Sequence, residues 1–228
     1  MKTQPQRNLL TLSATLALLI TDLSAGSVLS GSGNTATGTN AVIAGGRDNS
    51  APTTFSTISG GYLNSTNGYM ALIAGGRENS ASGDYATVSG GLQNKVDGYM
   101  AVVSGGRENE ASGDYATVSG GYKNITEGYM SLISGGRENK AVGNYAAILG
   151  GNSNTVSGNS LVVGGSDNKI NSYPIGDVYG PSNTIGGGRG NWIEGKYIQG
   201  NTIAGGGYTI RLKIHSPTHL QLVAEHRI

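Results

Sequence analysis

Gly75-Gly76-Arg77-Glu78-Asn79-Ser80-Ala81-Ser82-Gly83-Asp84-Tyr85-Ala86-Thr87-Val88-Ser89 is one turn of a pattern that fills most of this chain. Gly-Gly pairs begin at Gly45, Gly60, Gly75, Gly90, Gly105, Gly120, Gly135 and Gly150, a constant step of 15. Each second glycine (Gly46, Gly76, Gly106, Gly136 and those between) is followed three positions on by an Asn. These include Asn49, Asn79, Asn109 and Asn139. Glycine returns four residues after the Asn from Gly68 to Gly158, so the unit reads G-G-x-x-N-x-x-x-G-x-[YM]-[AS]-x-[VI]-x. A degenerate copy opens the array at Gly31, Asn34, Gly38 and Ala41, and another follows at Gly164-Gly165 and Asn168. A fixed short period means a solenoid.

Within the unit, alternation points to strands. Ala86, Val88 and Gly90 fall on one face and Tyr85, Thr87 and Ser89 on the other. The same reading of Met70 to Gly75 puts Ala71, Ile73 and Gly75 inside. The core is therefore narrow, and the glycines are expected to supply left-handed corners and close backbone approach. The Asn suits a bend, where its amide can satisfy backbone groups and stack on the Asn one turn above. Two or three glycines per unit argue against helix.

Composition narrows the function classes. Glycine supplies 40 of 228 residues, roughly 18% against an average of about 7%. With no cysteine in the chain, a disulfide scaffold, a thiolate metal site and a thiol nucleophile are excluded. A net charge of +1 leaves no electrostatic footprint for nucleic acid.

A second period of 30 overlies the first. Arg47, Arg77, Arg107 and Arg137 recur on alternate turns, with Glu78, Glu108 and Glu138 beside the last three. Tyr69-Met70, Tyr99-Met100 and Tyr129-Met130 occupy the turns between. Spacing the arginines by two turns avoids a like-charge column and admits an Arg–Glu network along the rim. Met70, Leu72, Met100, Val102, Met130 and Leu132 form an outward apolar column that one thin coil cannot cover. Burying it requires identical coils side by side, so a homo-oligomer is expected.

The run from Ala86 to Met100, repeated from Ala116 to Met130, resembles the head repeats of trimeric autotransporter adhesins, the YadA-like family. The likeness covers about Gly31 to Ser172, and similar rolls also occur in phage and other virion fibres. It implies a left-handed parallel β-roll and a homotrimer around one axis. The family's long stalk and C-terminal barrel strands have no counterpart in these residues, so the likeness is to the head.

Three regions are expected: an N-terminal segment, residues 1–29; a repeat shaft, 30–172; and irregular coils with capping strands, 173–228. Leu9, Leu12, Leu16, Leu19 and Leu23 keep the 3-4 spacing of a short coiled coil. A helical trimer anchor to a larger virion or cell-surface assembly is the reading adopted. The alternative is a signal peptide, because Lys2 and Arg7 precede the apolar stretch and Leu23-Ser24-Ala25 offers a cleavage site. Beyond Ser172, Trp192 (the only Trp) sits in a loosened copy of the unit and reads as a cap or a glycan platform. The last segment alternates like a hairpin that seals the final coil.

No catalytic constellation emerges. His215, His219 and His226 all lie in the last 14 residues, and the glycine runs lack the G-K-[ST] of a phosphate loop. No cofactor or metal is expected, and ordinary exposed histidines are preferred to an axial ion site. The expectation is a non-enzymatic fibre subunit on a virion surface, with Trp192, His215 and His219 as candidate recognition residues for a surface glycan or protein receptor. The alternative is a secreted bacterial surface adhesin or filament subunit, extracellular or on the cell surface.

Overall fold

The computed structural model describes residues 26–172, 182–195, 200–206, 209–216 and 219–225. Over them the chain is an all-β parallel solenoid of about 11 turns. Two sheets run its length, one of 12 strands from Ser27–Val28 to Thr202–Ile203 and one of 13 from Thr35–Ala36 to His219–Glu225. The candidate anchor Leu9, Leu12, Leu16, Leu19 and Leu23 lies outside the described residues.

The coil beginning at Gly105 shows how one unit closes. Arg107 makes a single-residue parallel bridge to Leu92 and Tyr122, and Glu110–Ala111 adds to the second sheet between Lys95–Val96 and Ile125–Thr126. Thr117–Val118 then adds to the first sheet. Partners differ by 15 residues throughout the regular turns, so each side chain stacks on its counterpart one coil away. The strand after the Asn carries no alternation in sequence, and the unit's second sheet is therefore not readable from hydropathy.

The core is one side chain wide. The first sheet contributes Ile58, Ile73, Val88, Val103, Val118, Ile133 and Ile148, all fully buried. Facing them are Ala51, Ala81, Val96, Ala111 and Ala141 of the second sheet and the small residue before each first-sheet strand, alanine at Ala71, Ala86, Ala101, Ala116 and Ala146 and serine at Ser56 and Ser131. Gly75 and Gly90 are only half-buried, contrary to the alternation reading, because the chain turns outward after Ile73 and Val88.

The three glycines of the unit have separate reasons to be there. A Cβ on Gly105 would meet nothing within 4 Å, whereas one on Gly106, at φ +85°, would lie 2.3 Å from the Gly121 carbonyl oxygen. A Cβ on Gly113 would fall 2.2 Å from the carbonyl oxygen of Gly128 in the next coil. The first glycine of the pair is thus not a closure residue; the second and third are. Corners were expected from glycine alone, yet Glu108 and Tyr115 are left-handed too, at φ 55° and 58°. Their counterparts repeat along the shaft: Met100 at 52° and Met130 at 51°.

At the C-terminal end the second sheet widens. Lys169–Ser172 and Trp192–Gly195 are four residues long, and Thr209–Ser216 pairs antiparallel with His219–Glu225. His215 and His219 lie on those two strands, with His219 paired to Ser216 near the turn. Their side chains lie outside the described ones, and His226 lies outside the described residues.

Candidate functional site

Four side-chain columns follow from the 15-residue register. The innermost is the Asn column, in which Asn49, Asn64, Asn79, Asn94, Asn109, Asn124, Asn139 and Asn154 are at most 1% exposed. Asn109 shows the pattern. Its Nδ2 donates to the carbonyls of Gly105 (2.9 Å) and Gly121 (3.0 Å), its N–H donates to Asn94 Oδ1, and its Oδ1 accepts the N–H of Asn124. Each amide thereby ties three consecutive coils, which is a structural duty.

The rim column alternates Arg47, Tyr62, Arg77, Leu92, Arg107, Tyr122 and Arg137 through single bridges. Arg77 and Arg107 each place Nε 2.7 Å from the following glutamate, and Arg137 does so at 3.1 Å. Tyr62 lies beside both Arg47 and Arg77, with guanidinium-to-ring distances of 4.4 and 5.6 Å, and Tyr122 sits likewise between Arg107 and Arg137. The Arg77 side chain, followed by the Gln93 amide, holds the Glu78 carboxyl below its ordinary value. Asp97, then Glu110, raises the Lys95 ammonium, and Tyr122 followed by Glu108 raises Lys123. These are solvated, mutually neutralising ion pairs.

A third column is aromatic. Phe55, Tyr69, Tyr85, Tyr99, Tyr115, Tyr129 and Tyr145 form an unbroken edge-to-face series with centroids 5.5–5.8 Å apart. The rings zigzag between two positions of the unit, because Tyr69 stacks on Asp84 whereas Tyr85 stacks on Met70. Asp84 accepts the backbone N–H of Tyr69, and Asp114 that of Tyr99. Beside the rings, Met70, Met100 and Met130 are 44–45% exposed. Leu72, Val102 and Leu132 are half-buried on the outer face of the first sheet, alternating with Thr87 and Thr117.

The fourth feature lies on the widened end of the second sheet. Parallel register places Lys169, Trp192 and Arg211 side by side, and Asn171, Glu194 and Lys213 in the adjoining column. Lys169 Nζ is 5.2 Å and the Arg211 guanidinium 4.8 Å from the indole centroid. A shallow cleft opens here, lined by Trp192, Glu194, Arg211, Leu212 and Lys213. The indole N–H is buried and has no hydrogen-bond partner among the described residues. Sequence located Trp192 as a candidate; the flanking cations were missed, since 19 to 23 residues separate neighbours in the column. No group of His, Asp and Glu suited to a metal occurs among the described residues.

The architecture defines a class, the parallel β-solenoid of 15-residue coils. No protein-family model matches the chain, and no curated protein matches it.

Proposed function

We propose that the chain is a non-enzymatic structural and adhesive fibre subunit, a homotrimeric left-handed β-roll that forms a spike on a virion surface. The observation that carries this reading is the lengthwise stripe of Met70, Met100, Met130, Leu72, Val102 and Leu132. It recurs on every second coil, with Tyr85, Thr87, Tyr115 and Thr117 on the turns between, so a second copy lying parallel in register meets its own chemistry turn for turn. Two such neighbours around an axis cover the stripe of each chain. Residues 1–29 provide the anchor in this reading, the regular coils form a stiff spacer, and the hairpin at the far end caps the roll. The widened sheet with Trp192 is then presented away from the parent body, where recognition is usually placed.

Sedimentation velocity on the full chain tests the assembly, with a trimer expected and a stable monomer overturning it. The secreted-adhesin reading rests on the basic and apolar pattern of residues 2–25. N-terminal sequencing of the mature protein separates the two: an intact Met1 belongs to the virion fibre, and a start near Gly26 to the exported adhesin.

A further inference from the structure

Tyr69, Tyr85, Tyr99, Tyr115, Tyr129 and Tyr145 set six phenols in line, one on each of six consecutive coils. Neighbouring centroids are 5.5–5.7 Å apart, and the ring planes cross at 75–82°. Backbone bonds fix both positions. Tyr85, Tyr115 and Tyr145 donate their N–H groups to the carbonyls of Tyr69, Tyr99 and Tyr129 at 2.7–2.8 Å. The N–H groups of Tyr69, Tyr99 and Tyr129 go in turn to the side chains of Asp84, Asp114 and Asn144. The series still faces solvent, for Tyr69, Tyr85, Tyr99, Tyr115 and Tyr129 are 37–40% exposed.

The ring contact itself needs no hydroxyl, since Phe55 makes it with Tyr69 at 5.8 Å. The six positions that follow all carry a phenol, the side chain most open to one-electron oxidation in a chain that lacks cysteine. Tyr62 and Tyr122 stand apart. Tyr62 lies between Arg47 and Arg77, and Tyr122 among Arg107, Lys123 and Arg137. Among the described residues no second ring meets either of them. A cation beside a ring also opposes the removal of an electron from it.

We infer that the tyrosine series is a site of oxidative cross-linking, where a one-electron oxidant joins neighbouring phenols as dityrosine and stitches successive coils together. Each ring gives up one electron and its phenolic proton. The two phenoxyl radicals form a carbon–carbon bond between the ring carbons beside their oxygens. The hydrogen on each of those carbons then passes to the oxygen as a proton, which restores both phenols. One link therefore releases two electrons to the oxidant and two protons to water. The chemistry needs only a single chain, whatever its assembly. Each link closes a loop of 16 residues (69 to 85) or 14 residues (85 to 99), restraining the unfolded chain as a disulfide does.

The test irradiates the dilute full chain with a ruthenium tris-bipyridyl photo-oxidant, with persulfate taking up the two electrons and leaving as two sulfates. Blue dityrosine emission is expected, with a loss of two hydrogens per link from a chain that still runs as a monomer on a denaturing gel. Trypsin cuts between every pair of neighbours, at Arg77, Lys95, Arg107, Lys123 and Arg137, so joined peptides report which rings coupled. Links to Tyr62 or Tyr122 should be about tenfold rarer, and unfolding the chain before irradiation should erase that preference. Tyr99→Phe keeps the ring contact and should delete only the Tyr85–Tyr99 and Tyr99–Tyr115 links, with circular dichroism unchanged. The inference is overturned by an absence of in-chain links, by links between chains only, or by links to Tyr62 and Tyr122 at equal frequency. The same pattern from the unfolded chain overturns it as well, because sequence proximity would then suffice.

Discussion

Gly105 and Gly113 look alike in the repeat and differ in what surrounds them. Replacing Gly113 by Ala drives a Cβ into the Gly128 carbonyl, and overpacking of this kind costs about 1–3 kcal/mol. Replacing Gly105 by Ala meets open space; shedding glycine's freedom in the unfolded chain favours the folded state by about 0.4–1 kcal/mol. Thermal unfolding should therefore show Gly113→Ala melting well below the parent and Gly105→Ala at or slightly above it. Asn109→Ala leaves the buried N–H of Asn124 without its acceptor and the Gly105 carbonyl without the Asn donor, while the Gly121 carbonyl keeps only the Arg107 N–H. Each such orphan costs about 1–3 kcal/mol, so this variant should lose several kcal/mol in chemical denaturation. Asn109→Asp should fare worse, because a carboxylate would face the same two carbonyls. These distinctions were half legible. The constancy of Asn and Gly announced backbone duties, but one-letter identity cannot separate a glycine kept for φ from one kept for stacking distance. Nor did it show that Tyr115 and Glu108 would take left-handed corners.

At the level of elements, the second strand of each unit shows where pattern reading stops. Ala86-Thr87-Val88 alternates and was readable as a strand. Glu110–Ala111 and Ser80–Ala81 are two residues long and carry only one small apolar side chain each, too little for any period to register. The aromatic series escaped for another reason: its members occupy two positions of the unit in turn, and only the register shows them in contact. The rim columns were legible, since the 30-residue recurrence of Arg beside Glu already implied an ion-pair network. That network has a testable pH dependence. Contact with Arg77 and Gln93 lowers the Glu78 carboxyl from 4.5, so its contribution is complete above that value. It is lost as pH falls through the lower folded value. Melting temperature should decline on acidification below pH 4.5, and Glu78→Gln should melt lower at neutral pH while losing less over the acid range. An equal acid slope in parent and variant would remove Glu78 from the account.

Over the whole molecule, each coil touches mainly its two neighbours, so stability accumulates turn by turn as in other repeat arrays. Two periods are superimposed on that stack. The backbone and core repeat every coil, whereas the Arg–Tyr rim and the aromatic zigzag repeat every second coil. Deletions of chosen length separate the two. Removing residues 75–104 takes out two coils and apposes the Tyr62 turn to the Arg107 turn, restoring every column; the shaft shortens by about 10 Å and stays folded. Removing residues 75–89 also preserves backbone register and brings Ile73 onto Val103 in the core. It nevertheless places Tyr69 beside Tyr99 in one column, takes away the Asp84 acceptor of the Tyr69 N–H, and leaves Tyr62 with one arginine. Removing residues 75–84 shifts the inward positions out of phase and should abolish folding. Circular dichroism and thermal melts on the three chains should rank them in that order, with the one-coil deletion clearly below the two-coil deletion although it retains more of the shaft. If the one-coil deletion melts as high as the two-coil one, the alternate-turn side chains contribute nothing measurable, and the 15-residue backbone unit alone holds the solenoid together.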